Sequence, residues 1–80
     1  MTYQVLLFYK YVTVENPAEL AERIRFLCSK YNFKGRIIVA EEGVNATMEG
    51  EVEATEHFIS DFKEDARFAD ISVKRSRGEG

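Results

Sequence analysis

The stretch from Lys34 to Gly50, KGRIIVAEEGVNATMEG, decides the fold. Ile37, Ile38, Val39 and Ala40 form a short apolar run. After it, Val44, Ala46 and Met48 alternate with Asn45, Thr47 and Glu49, the period-two pattern of a strand with one buried and one open face. Between the two, Glu41-Glu42-Gly43 supplies a turn in which glycine takes positive φ without a β-carbon clash. The segment therefore predicts a hairpin of two antiparallel strands. Gly50 is expected to break the second strand, and Glu51 and Glu53 favour a helix N-terminus just beyond it through the helix dipole.

On the N-terminal side, Tyr3 to Val12 (YQVLLFYKYV) is aromatic and branched, with both alternating faces largely apolar, which places it in the middle of a sheet. Asn16, Pro17 and Glu19 combine a cap, a first-turn proline and a carboxylate able to reach back, a variant of the capping box. The helix they start carries Leu20, Ala21, Ile24, Leu27, Cys28 and Tyr31 on one stripe and ends at Asn32 to Gly35. On the C-terminal side, Val52, Thr55, Phe58, Ile59 and Phe62 form a second stripe. Ile71 and Val73 then alternate with Ser72 and Lys74 in a closing strand, and KRSRGEG reads as a frayed tail or the start of a linker.

The order β-α-β-β-α-β predicts an α+β, ferredoxin-like fold: a four-stranded antiparallel sheet with two helices on one face. One domain over residues 1–76 and a tail over 77–80 account for the chain, whose 80 residues suffice for a single core. Val44, Ala46, Met48, Ile71 and Val73 should face the helices, leaving Asn45, Thr47, Ser72 and Lys74 on the open side. An alternate row of the first strand joins them, either Leu6, Phe8 and Lys10 or Leu7, Tyr9 and Tyr11, because a one-residue slip exchanges the rows. Either row exposes apolar or aromatic groups, and such a patch marks a partner surface.

With 45% hydrophobic and 31% charged residues, the composition is that of a globular domain. No apolar run approaches the roughly 20 residues of a membrane span, no signal-peptide layout is present, and a cytoplasmic protein without a membrane partner is expected. A net charge of −3 argues against strong sequence-independent binding of nucleic acid and leaves room for a local basic patch. Lys10, Lys34, Arg36, Lys74, Arg75 and Arg77 lie near strand ends or in the tail. Beside the aromatics of the first strand they resemble the rim of a sheet platform for single-stranded RNA, although no RNP-type motif is present and scattered solvated charge is the simpler reading.

Chemistry is sparse. Cys28 lies on an apolar stripe, the setting of a buried structural thiol rather than a nucleophile. His57 stands on an acidic helix with no second His or Cys at metal-ligand spacing. Glu41 and Glu42 are adjacent in a turn and do not face each other as an acid/base pair. The loop Thr13 to Pro17 has no glycine to build a phosphate nest. No catalytic residue, metal or cofactor is expected.

YQVLLFYKYV, the N-P-x-x-L helix start at Asn16, KGRIIVAEEGVNATMEG and the later DARFADISVK together resemble the N-terminal domain of the rhodanese-type tRNA uridine hydroxylases. The resemblance covers nearly all of the chain. It implies an acylphosphatase-like domain followed, through a linker starting near residue 77, by a rhodanese domain, in a protein that uses oxygen to convert a wobble uridine of tRNA to 5-hydroxyuridine. The catalytic cysteine it implies belongs to the rhodanese domain, so Cys28 does not inherit that role. Acylphosphatases themselves use a glycine-rich loop with an arginine, plus a middle-strand asparagine. Here the loop is VTVENP and Asn45 has no partner for that chemistry, so shared fold without shared activity is expected. The expected function is that of a non-catalytic accessory domain that helps bind tRNA or supports the rhodanese domain, with Lys10, Tyr11, Arg36, Asn45, Thr47 and Lys74 as the contacting surface. The alternative is a purely structural interaction or dimerisation module that touches no RNA.

Overall fold

A computed structural model of the chain describes residues 2–79. Strands β1 (Tyr3–Tyr11), β2 (Lys34–Ala40), β3 (Gly43–Glu51) and β4 (Val73–Arg77) alternate with helices α1 (Pro17–Lys30) and α2 (Val52–Lys63), and a short 3-10 turn at Ala66–Phe68 precedes β4. The sheet order is β2-β3-β1-β4, and every neighbouring pair is antiparallel. This is the expected ferredoxin-like α+β arrangement.

The hairpin forms as its alternation predicts, with Val39 opposite Val44 and Ile37 opposite Ala46. Gly43 leaves the turn at φ 149°, in the left-handed half of conformational space, and a β-carbon there would overlap the Lys10 carbonyl oxygen. At the start of α1 the Asn16 side chain accepts from the Glu19 amide at 3.2 Å, while its own amide donates to the Glu19 carboxylate at 3.3 Å. The cap and the carboxylate thus satisfy each other.

Three boundaries differ from expectation. Gly50 does not break β3; it is paired with Gln4 inside the strand, and a β-carbon would run into the Phe33 ring, so the ring's seat calls for the glycine. Gly35 lies within β2, opposite Met48 at φ 148°, and does not merely end α1. The tail read after Lys74 is strand: β4 runs to Arg77, whose partner is Gln4, and the Gly78 amide donates to the Tyr3 carbonyl at 3.0 Å. Residue 77 therefore belongs to the sheet. Lys74 to Arg77 carry no apolar side chain, so the pairing rests on backbone bonds that side-chain pattern does not announce.

Burial settles the register of β1. Leu6 and Phe8 are fully enclosed between sheet and helices together with Val44, Ala46 and Met48. From the helices come Leu20, Ile24 and Leu27 of α1, and Thr55, Phe58, Ile59 and Phe62 of α2. Phe62 and Phe58 each meet three rings in the aromatic packing; Phe62 lies 4.4 Å from Phe68 in a near-parallel stack, 5.3 Å from Phe8 and 5.6 Å from Phe58 by ring centroids. Val14 and Phe68 complete the core from connecting segments, where no periodicity advertises them.

Candidate functional site: the open sheet face

The face of the sheet away from the helices is built by cross-strand rows, because partners in an antiparallel ladder point to the same side. Arg36 opposes Thr47, Thr47 opposes Leu7 and Leu7 opposes Lys74, so one row crosses all four strands. In the next row Ile38, Asn45 and Tyr9 stand side by side, followed by Ala40, Gly43 and Tyr11. Leu7, Ile38, Tyr9 and Tyr11 are 42%, 56%, 62% and 83% exposed, which makes the patch both apolar and accessible. The Tyr9 and Tyr11 rings meet edge to face at 6.2 Å between centroids. With Ile38, Ala40, Glu42 and Asn45 they border a shallow hollow of about 460 Å³.

Five of the six expected surface residues share this face: Tyr11, Arg36, Asn45, Thr47 and Lys74. Lys10 does not. It occupies the row of Leu6 and Phe8, and its Nζ donates to the Arg67 carbonyl at 2.7 Å and pairs with Asp70. The parity of a strand forbids Lys10 and Tyr11 from sharing a face. Lys10 is therefore a clasp between β1 and the segment leading to β4. Leu7, Tyr9 and Ile38 take its place on the open face; the sequence named Leu7 and Tyr9 only as one of two possible rows.

The charges divide along the same line. Arg75 opposes Leu6 and reaches over the helix side, where its guanidinium bonds the Glu56 carboxylate at 2.7 Å and 3.1 Å and holds that carboxyl below its ordinary range. Arg67 bonds Asp65 at 2.6 Å and lowers it likewise. Lys34, Arg36 and Lys74, by contrast, join no ion pair among the described residues. The acidic partner in their neighbourhood is Glu49, opposite Lys34, whose carboxylate accepts the Glu79 amide at 2.9 Å.

The other candidate sites take on structural roles. In the loop after β1, the Val12 amide donates to Glu42 O at 3.0 Å and the Val14 amide to Glu41 O at 2.8 Å. These amides tie the loop to the hairpin turn and do not converge on an anion, so the loop is no phosphate cradle. Cys28 is half-buried beside Phe33 and Met48, and burial pushes its thiol upward, away from nucleophile character. His57 is exposed, and no group of three metal-ligating side chains occurs among the described residues. Among the described residues no helix is long and apolar enough to cross a membrane.

Strand order, two helices on one face and an exposed aromatic and basic sheet define a ferredoxin-like domain of acylphosphatase type without the acylphosphatase loop. The family described as the UPF0176 acylphosphatase-like domain matches residues 3–80, and the chain belongs to it. Among curated relatives, the chain is 46% identical over 78 residues to a tRNA uridine(34) hydroxylase of Bacillus licheniformis, covering 98% of this chain and 24% of that protein. Proteins of the same name from Staphylococcus carnosus and Enterococcus faecalis are 44% and 47% identical, over 100% and 92% of this chain and 25% and 23% of their own lengths. The chain thus spans about a quarter of the relatives it matches.

Proposed function

We propose that this chain is the accessory domain of a cytoplasmic tRNA uridine hydroxylase, and that its open sheet face contacts tRNA while a rhodanese domain outside the chain performs the oxidation. The observation that carries this reading is the row Arg36–Thr47–Leu7–Lys74: two cations at opposite edges of the sheet, neither joined in an ion pair among the described residues, while the other basic residues of β4, Arg75 and Arg77, have the opposite strand parity. Cations left unpaired by their own protein are available to phosphates. The names of the relatives supply tRNA as the polyanion.

The test is binding of unmodified tRNA to the chain at low and near-physiological salt, with Arg36→Ala and Lys74→Ala separately and together. Each replacement should weaken binding and reduce the salt slope by roughly one phosphate contact. Equal affinity of the double variant and the parent would overturn the reading. A second reading, that this face packs on the neighbouring rhodanese domain, draws on the exposure of Leu7 and Ile38. It predicts that Leu7→Ser changes domain association while the cation variants do not.

A further inference from the structure

We infer that the open face binds unpaired nucleotides and not duplex RNA: Tyr9 and Tyr11 stack the bases, Asn45 reads the edge of a base seated in the hollow between them, and Arg36 and Lys74 hold the flanking phosphates. This rests on the proposed RNA contact and names the form of RNA it takes.

Three features of the face point to single strands. First, the aromatic side chains stand on adjacent positions of one strand face, about 7 Å apart along it, and present π-surfaces to solvent instead of packing against the core. A duplex hides its base faces, so exposed rings have nothing to stack on there; splayed bases do. Second, Asn45 stands between Ile38 and Tyr9 in the same row, exposed and bonded to no other side chain among the described residues. Its amide offers donors and an acceptor together, the pairing needed for a base edge. Third, Arg36 and Lys74 lie three strand spacings apart, about 14 Å, one on each side of the Leu7–Thr47 pair. A strand crossing the sheet between them passes directly beside the Tyr9 row, a span suited to the two or three bases that four-stranded sheets hold. The carboxylates near this face are Glu42, at the turn end of the hollow, and Glu49, one row beyond the cations.

The experiment titrates the isotope-labelled chain with a short single-stranded oligoribonucleotide and with a duplex of the same length. Tyr9→Ala, Tyr9→Phe, Tyr11→Ala and Asn45→Ala accompany the parent. The single strand should bind more tightly than the duplex and shift the amides of Tyr9, Tyr11, Ile38 and Asn45. Tyr9→Ala should lose about tenfold in affinity or more, and Tyr9→Phe should retain it, because stacking needs the ring and not the hydroxyl. Asn45→Ala should narrow differences between oligonucleotides of different base. If tRNA binds through Arg36 and Lys74 but the duplex competes equally and Tyr9→Ala is neutral, the inference falls and the RNA contact stands. If neither RNA form nor tRNA binds, both fall, and a protein is the occupant of the face.

Discussion

The Phe33 ring lies on Gly50 so closely that any β-carbon at that position would overlap it. Phe33 is pinned from its other sides by Tyr31, stacked at 5.5 Å, and Phe58, edge-on at 5.7 Å, so it has little room to yield. Gly50→Ala should therefore cost about 1–3 kcal/mol, the range for overpacking a filled site. Chemical denaturation would measure it, and Phe33→Leu in the same chain should recover part of the loss. A Gly50→Ala variant as stable as the parent would mean that the ring moves freely.

Phe62, like Phe58, meets three aromatic rings at once, and it alone joins Phe68 to the rings of β1 and α2. Phe62→Ala should cost about 3–5 kcal/mol. For a domain whose whole stability is on the order of 5–10 kcal/mol, that is enough to leave a large fraction unfolded at 37 °C. Circular dichroism melts of the two proteins would show it directly.

Lys10 and the pair Arg36 and Lys74 should separate cleanly. Lys10→Met removes the bonds to Arg67 O and Asp70 while keeping the aliphatic stem, and should lower stability by about 1 kcal/mol with tRNA affinity unchanged. Arg36→Ala and Lys74→Ala should do the reverse. A loss of tRNA binding in Lys10→Met with stability intact would put Lys10 back on the contact surface.

Acid should weaken the fold through specific carboxylates. Glu56 is held below its ordinary value of 4.5, first by the Arg75 guanidinium and then by the Gln4 amide. Asp65 and Asp70 are held below 3.8, chiefly by Arg67 and Lys10. A carboxyl with a depressed folded value contributes stability that is whole above its unfolded value and is lost as pH falls through the folded one. Denaturation midpoints should therefore hold down to about pH 4.5 and decline below it. Glu56→Gln should remove the first part of that decline; Glu56 and Asp70 are exposed and contribute modestly, whereas the largely enclosed Asp65 is screened less.

At the alkaline end the relevant contact is the Tyr31 hydroxyl, which donates to the Asp61 carboxylate at 2.9 Å and joins the end of α1 to α2. This bond raises the phenol above its ordinary value of 10.0, so its contribution is present below that value and fades as pH rises through the folded one. Tyr31→Phe should lower stability slightly at pH 7 and flatten the alkaline limb of the stability curve. Unchanged stability would show that solvent replaces Asp61 at no cost.

Much of this architecture was legible because local pattern and tertiary role agree. The Glu41-Glu42-Gly43 turn, the Asn16 cap and the Val44–Ala46–Met48 alternation each specify one conformation, and the sheet honours all three. The open-face register was not legible, because Leu6 and Leu7 are alike and the greater apolarity of Phe8 over Tyr9 is offset by the charge of Lys10 in the same row, so contact with the helices tells the rows apart. That ambiguity is why Lys10 was placed with Tyr11. Gly50 looked like a breaker because the ring that demands it comes from Phe33, outside the strand. β4 looked like a tail because an edge strand of Lys74, Arg75, Ser76 and Arg77 holds its place by backbone bonds to β1, and no side-chain period records them.

β1 precedes both of its neighbours, β3 and β4, in the chain. On a ribosome, every residue from Val12 to Glu42 must be added before the first partner strand even begins to emerge. At about 5–20 residues per second, the aromatic run Tyr3 to Tyr11 spends seconds with both backbone edges unsatisfied. The two tyrosines and Leu7 that later remain on the surface are also, for that interval, the most aggregation-prone part of the nascent chain, so the same side chains that suit the finished protein to a ligand make its birth the moment when a chaperone matters most.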